Sequence, residues 1–141
     1  MRAFLAACLA LSIVRTVEAG VEIVDARAEI SRTDPERIEV YFDLRNDTTH
    51  ELELLKAVSP RAERVEFKQR SIGADNSARL WPVAKFEIPA GGRLRLHADG
   101  RFFLLSGFDE GIRPGQVIPL TLTFEDESPV TLQLRVAPAR Q

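Results

Sequence analysis

The sequence predicts an all-β protein, a single antiparallel β-sandwich or barrel. Three observations carry that prediction. From Val21 onward, short segments rich in β-branched and aromatic residues follow one another closely. Clusters of Gly, Pro, Asn and Asp separate them as turns. No stretch sustains a helical period with caps, which leaves close-spaced strands as the organising element.

The elements follow in order. Ile38 to Arg45 alternates in part and ends at the turn pair Asn46-Asp47. Leu52, Leu54 and Leu55 open a second segment that stops near Ser59-Pro60. Val65 and Phe67 alternate with Glu66 and Lys68, the pattern of a half-buried strand. Phe86 and Ile88 precede the turn Pro89-Ala90-Gly91-Gly92, after which Leu94 and Leu96 alternate with arginines. Phe102 to Leu105 is a short apolar run. Val117, Leu120, Leu122 and Phe124 form a late strand, in which Pro119 marks an irregularity or an edge. Val130, Leu132, Leu134 and Val136 form the last, with polar residues between them.

The 141 residues suffice for one domain with a core and are too few for two ordinary ones. Apolar residues make up 45% and charged residues 28%, a globular composition. A formal charge of −2 supplies no basic field, which argues against a general binder of nucleic acid or anionic lipid.

Residues 1–19 differ from the rest. Arg2 precedes an uncharged, mostly apolar run from Ala3 to Val14, and Val17-Glu18-Ala19 offers compact residues where a signal peptidase reads. The run is too short to span a bilayer. We expect a secretory signal at 1–19, cleaved after Ala19, and a mature domain at 20–141 that is periplasmic or otherwise exported. Leu5-Ala6-Ala7-Cys8 resembles a lipoprotein box but comes too early for one, so Cys8 reads as a signal residue. Cleavage after Ala19 removes Met1 and Cys8, the single methionine and single cysteine. The mature chain then has no disulfide, and His50 and His97 are its borderline-soft metal ligands.

An ordered set of short blocks carries a family resemblance. The blocks are Tyr41 to Asn46, Ser59 to Ala62 with Val65-Glu66-Phe67, Ile88 to Gly92 with Gly100, and Gly115 to Asp126. In that order and at those intervals they resemble the periplasmic Cu(A) chaperone family, PCu(A)C. The resemblance implies a cupredoxin-like β-sandwich in the periplasm that delivers Cu(I) to respiratory-oxidase copper centres. The implied partner is a copper-trafficking or oxidase-assembly protein of the envelope.

That family holds copper with a histidine, a methionine and a His-x-Met pair, and the framework blocks align these ligands with Lys68, Leu80, Phe102 and Leu104. Cu(I) prefers thioether and imidazole donors. A protonated lysine has no lone pair to give, and leucine and phenylalanine carry no donor atom. The metal site reads as vacated, and no cofactor is expected. The alternative is residual handling of copper or zinc by His50 and His97, with Glu51 and Asp99 as oxygen donors, or by ligands shared with a partner. His50 stands in the polar turn after Asn46 and His97 ends a strand before Asp99-Gly100; nothing in the sequence places the two together, and each reads first as a surface residue.

Two readings of the replacements stay open. Leu80, Phe102 and Leu104 form a compact apolar cluster in place of the metal, or they form a partly exposed surface that docks a partner, with Lys68 and Trp81 at its rim. An enzyme is not expected, because Ser106 lacks the glycine pattern of a nucleophile elbow and the acidic groups read as solvated turns. Asn46-Asp47-Thr48 matches a glycosylation sequon and is read as a turn.

Overall fold

A computed structural model describes residues 16–18 and 20–140. The expected signal segment therefore lies largely outside the described residues, Cys8 included. The described chain forms strands β1 (Thr16–Glu18), β2 (Val21–Ile30), β3 (Ile38–Asn46), β4 (Leu52–Val58), β5 (Ala62–Ile72) and β6 (Ala78–Pro82). It continues with β7 (Phe86–Ile88), β8 (Arg93–Arg95), β9 (Arg101–Phe108), β10 (Val117–Phe124) and β11 (Val130–Ala137). One sheet runs β6-β5-β9-β3-β2, with β1 on β2 and β8 on β3; the other runs β11-β10-β4-β7. The predicted all-β sandwich is the fold observed.

One departure from antiparallel pairing joins the two layers. β11 runs parallel to β2 through Val136↔Ala28 and Ala137↔Glu29. β2 reaches that contact because it carries a bulge. Its register against β3 shifts between Val24 and Arg27, where Asp25 adopts φ 56°. The extra residue changes which parity faces inward, from Val21 and Ile23 before it to Ala28 after it. Strict alternation read along the sequence has no place for this step.

The core lies between the layers. Phe67 and Phe103 of the first sheet meet Phe86 of the second, and Phe42 stacks on Phe103, with ring centroids 4.7 to 5.7 Å apart. Leu120, Leu122, Leu132 and Leu134 fill the opposite wall and are fully or almost fully buried. In β10 the inward residues are Ile118, Leu120, Leu122 and Phe124, while Val117 is exposed. Pro119 is tolerated because β4 pairs with β10 only from Thr121 onward, which leaves one flank of β10 an edge there.

Asn46 ties the loop end of the sandwich together. Its side-chain amide is fully buried and donates to the carbonyls of His50, Ile88 and Pro89 at 2.8 to 3.0 Å. Its Oδ1 accepts from the Thr48 amide at 3.0 Å. Its backbone exchanges bonds with Gly92 and Gly91, both at 2.9 Å. The sequon asparagine is thus a buried clamp between the β3–β4 and β7–β8 connections, with no free amide to glycosylate.

Replacing Asn46 by alanine strips three carbonyls of their donor in a buried setting. We expect a loss of about 3 kcal/mol in urea unfolding, with an unchanged denaturant slope.

Candidate functional site

Lys68, Leu80, Phe102 and Leu104 come together on the outer face of the first sheet, the face turned away from the aromatic core. β9 has four consecutive buried residues and divides them by parity. Phe103 and Leu105 point into the sandwich, while Phe102 and Leu104 join Tyr41 in a separate small cluster. Register then places the other positions. Lys68 of β5 lies opposite Phe102 on one side and Pro82 on the other, and Glu66 lies opposite Leu104. Leu80 of β6 lies opposite Arg70. Lys68, Phe102 and Leu104 are therefore neighbours, and Leu80 sits one diagonal step away.

These residues divide into packed and exposed sets. Phe102 and Leu104 are 0% and 4% exposed, whereas Leu80 and Trp81 are 43% and 52% exposed. The compact cluster expected of Leu80, Phe102 and Leu104 forms instead from Phe102, Leu104 and Tyr41. Leu80 is excluded because β6 is the rim strand of this sheet and all of its residues are exposed. Trp81 lies on the opposite face of β6, its indole N–H donating to the Ser71 hydroxyl at 2.8 Å. Lys68 pairs with Glu66 at 3.3 Å.

Arg70 completes the site and was not singled out in the sequence. Its guanidinium lies 4.6 Å from the centroid of the Phe102 ring. It donates to Glu39 Oε1 at 2.5 Å and to the Ala98 carbonyl. Arg70 is also bonded through its backbone amide to the Gly100 carbonyl at 2.8 Å. Glu39 is itself buried and lies opposite Glu29 on β2. Like charges placed face to face repel, and each is neutralised from elsewhere, Glu39 by Arg70 and Glu29 by Arg140 at 3.0 Å. A cavity of about 440 Å³ opens beside these pairs, lined also by Tyr41 and Asp99. Burial pushes the Tyr41 hydroxyl well above the usual tyrosine range, and the Glu39 and Glu29 charges push it the same way. The signal for Arg70 was its parity: it shares a face with Lys68 on a strand whose other neighbours alternate.

The two histidines stay apart. His50 leaves the end of β3 and lies 3.7 Å from Glu127, while His97 occupies the β8–β9 turn. The His97 ring fills the space above Gly100, where an added Cβ would come within 2.7 Å of Nε2. Among the described residues, one group of three has candidate ligand atoms within 4.8 Å of one another: Glu51, Glu53 and Glu87. It includes neither histidine. Lys85 already bonds Glu53 at 2.9 Å and Glu87 at 3.4 Å, and it holds the Glu53 carboxyl below the usual carboxylate range.

Two outcomes follow from the Arg70 cluster. Arg70→Met strands the Glu39 carboxylate in a buried position, and we expect about 3 kcal/mol of destabilisation in chemical denaturation. For Tyr41, the folded state keeps its phenol proton above pH about 10, where the unfolded chain releases it. The stability from this group is complete below that pH and falls as pH rises beyond it. Because Tyr41 is the single tyrosine, tyrosinate absorbance should appear only with unfolding, and Tyr41→Phe should flatten the alkaline loss relative to wild type.

Comparison with known proteins places the molecule. The chain shares its fold with the copper-bound PCuAC domain from PmoF2, at a TM-score of 0.70 and 18% identity, covering 89% of this chain and 98% of that one. The apo PCuAC domain from PmoF1 matches at a TM-score of 0.72 and 10% identity, covering 88% and 98%. The solution structure of Cu(I)-DR1885 from Deinococcus radiodurans matches at 0.60 and 22% identity, covering 93% and 82%. At these identities the likeness is one of fold. No curated protein sequence matches the chain. No helix among the described residues is long and apolar enough to cross a membrane. The family model for LpqE-like lipoproteins matches residues 21–136, nearly the whole described sandwich. With that match and the PCuAC fold, the chain belongs to the LpqE-like family.

Proposed function

We propose that this protein is an exported accessory or protein-binding member of the copper-chaperone fold, in which an arginine-centred cluster stands where related domains hold copper. The observation that carries this reading is the Arg70 guanidinium stacked on Phe102 and paired with Glu39. The aligned donor set is an ammonium, two leucines and a phenylalanine, none of which suits a soft monovalent cation. Phe102 and Leu104 turn their hydrocarbon into a closed patch, and the neighbouring positive charge repels a second cation. The residues present do not fit Cu(I).

Several features support a binding role over a catalytic one. The buried charges of the outer face are spent in ion pairs, Glu39 with Arg70 and Glu29 with Arg140. Residual metal handling by His50 and His97 draws little support, since the two occupy separate turns and, among the described residues, neither joins a group of three candidate ligands. A retained link to copper trafficking would run through protein contact, with Leu80 and Trp81 as its exposed apolar residues.

Cu(I) titration against a competing chelator under reducing conditions tests the reading. We expect no competitive binding by the wild-type protein. Restoring the donors with Lys68→His, Leu80→Met, Phe102→His and Leu104→Met together should produce a site. Tight one-to-one binding by the unmodified, processed protein would refute the proposal.

A further inference from the structure

The outer edge of β6 is the strongest feature that the copper reading does not use. β6 ends the first sheet, and among the described residues no strand pairs with its far side. All of its residues are exposed. Three large exposed apolar side chains, Ile72, Leu80 and Trp81, belong to the β5–β6 hairpin. An uncovered edge of this kind offers its backbone to another strand.

Register shows which groups the edge offers. Lys68 lies opposite Pro82, and the Val83 amide donates to the Phe67 carbonyl at 2.9 Å. That bond makes Lys68↔Pro82 a non-hydrogen-bonded pair, so Trp81 and Arg79 direct their N–H and C=O groups toward β5. Ala78, Leu80 and Pro82 direct theirs outward. The free edge therefore presents two donors, from Ala78 and Leu80, and three acceptors, because Pro82 has no N–H.

We propose that the occupant of this edge is a second copy of the chain, paired antiparallel through β6 about a two-fold axis at Leu80. Leu80 then lies opposite its own copy, and the two exchange a pair of N–H···O bonds. Each Ala78 amide donates to the Pro82 carbonyl of the partner copy, for about four intermolecular backbone bonds in all. On one face the two Leu80 side chains meet. On the other, Arg79 of each copy lies across from Trp81 of the other in a close, non-hydrogen-bonded pair. A guanidinium over an indole is an attractive contact, and it occurs twice. β6 carries no acidic residue, and this register keeps the two Arg79 charges off one another. The Trp81 bond to Ser71 already orders the ring, which lowers the entropy cost of association. The sequence Ala-Arg-Leu-Trp-Pro is thus complementary to itself. This inference stands apart from the reading of the metal site.

Sedimentation velocity of the purified protein over a concentration series tests it. We expect a monomer–dimer equilibrium in the wild type. The fluorescence of Trp81, the single tryptophan, should move to shorter wavelength as dimer forms. Leu80→Lys should weaken association at least tenfold, by roughly the effect of placing like charges at the two-fold axis, without changing the thermal midpoint at concentrations where the wild type is monomeric. Pro82→Ala supplies one outward donor per copy and should tighten association roughly tenfold. Val58→Lys, at an exposed apolar residue of the other sheet, should leave the dimer intact. A monomer at every concentration, a dimer that survives Leu80→Lys, or a dimer abolished by Val58→Lys would overturn the proposal.

Discussion

The outer face of the first sheet depends on one cation held in a largely closed setting. Arg70 of β5 sits where two further strands and a turn converge, and it contacts each of them: Glu39 of β3, the Phe102 ring of β9, and the Ala98 carbonyl of the β8–β9 turn. A buried ion pair is worth little relative to a well-packed apolar replacement, but removing one partner is costly. The cluster therefore acts as a fastening whose parts hold one another in place. Tyr41 shares the same enclosure, and its resistance to ionisation reflects the low polarity that surrounds the pairs.

This arrangement has a chemical logic when set beside the PCuAC fold. A site built for a soft cation needs donors that converge on an empty point. Here Lys68, Phe102 and Leu104 are neighbours in the strand register, and hydrocarbon from Phe102, Leu104 and Tyr41 packs beside the Arg70 charge. A guanidinium satisfies its surroundings with fixed directional bonds and a planar face, and unlike a metal ion it does not exchange.

The core beneath is conventional by comparison. Aromatic rings from both sheets interlock, a bulge at Asp25 redirects β2, and Asn46 satisfies the carbonyls of two connections at once. These features join the two sheets in a chain whose single cysteine leaves no internal disulfide. The hairpin of β5 and β6 extends beyond this support, and for that reason it carries exposed apolar side chains on both of its faces.

By itself the sequence determined the all-β class, most strand positions and the chemistry at Lys68, Leu80, Phe102 and Leu104, because alternation and donor type are local properties. β6 escaped notice since an edge strand with no buried residue leaves no alternating signal, and the parity change in β2 was hidden because a bulge is a backbone event. Leu80 could not be separated from Phe102 and Leu104 by pattern, as all are apolar and differ only in how much neighbouring sheet covers them. Arg70 and Glu39 are thirty-one positions apart along the chain, and only strand pairing brings them together. Tertiary structure decided the site because burial and charge pairing depend on which strands become neighbours, a relation that no single segment of sequence contains.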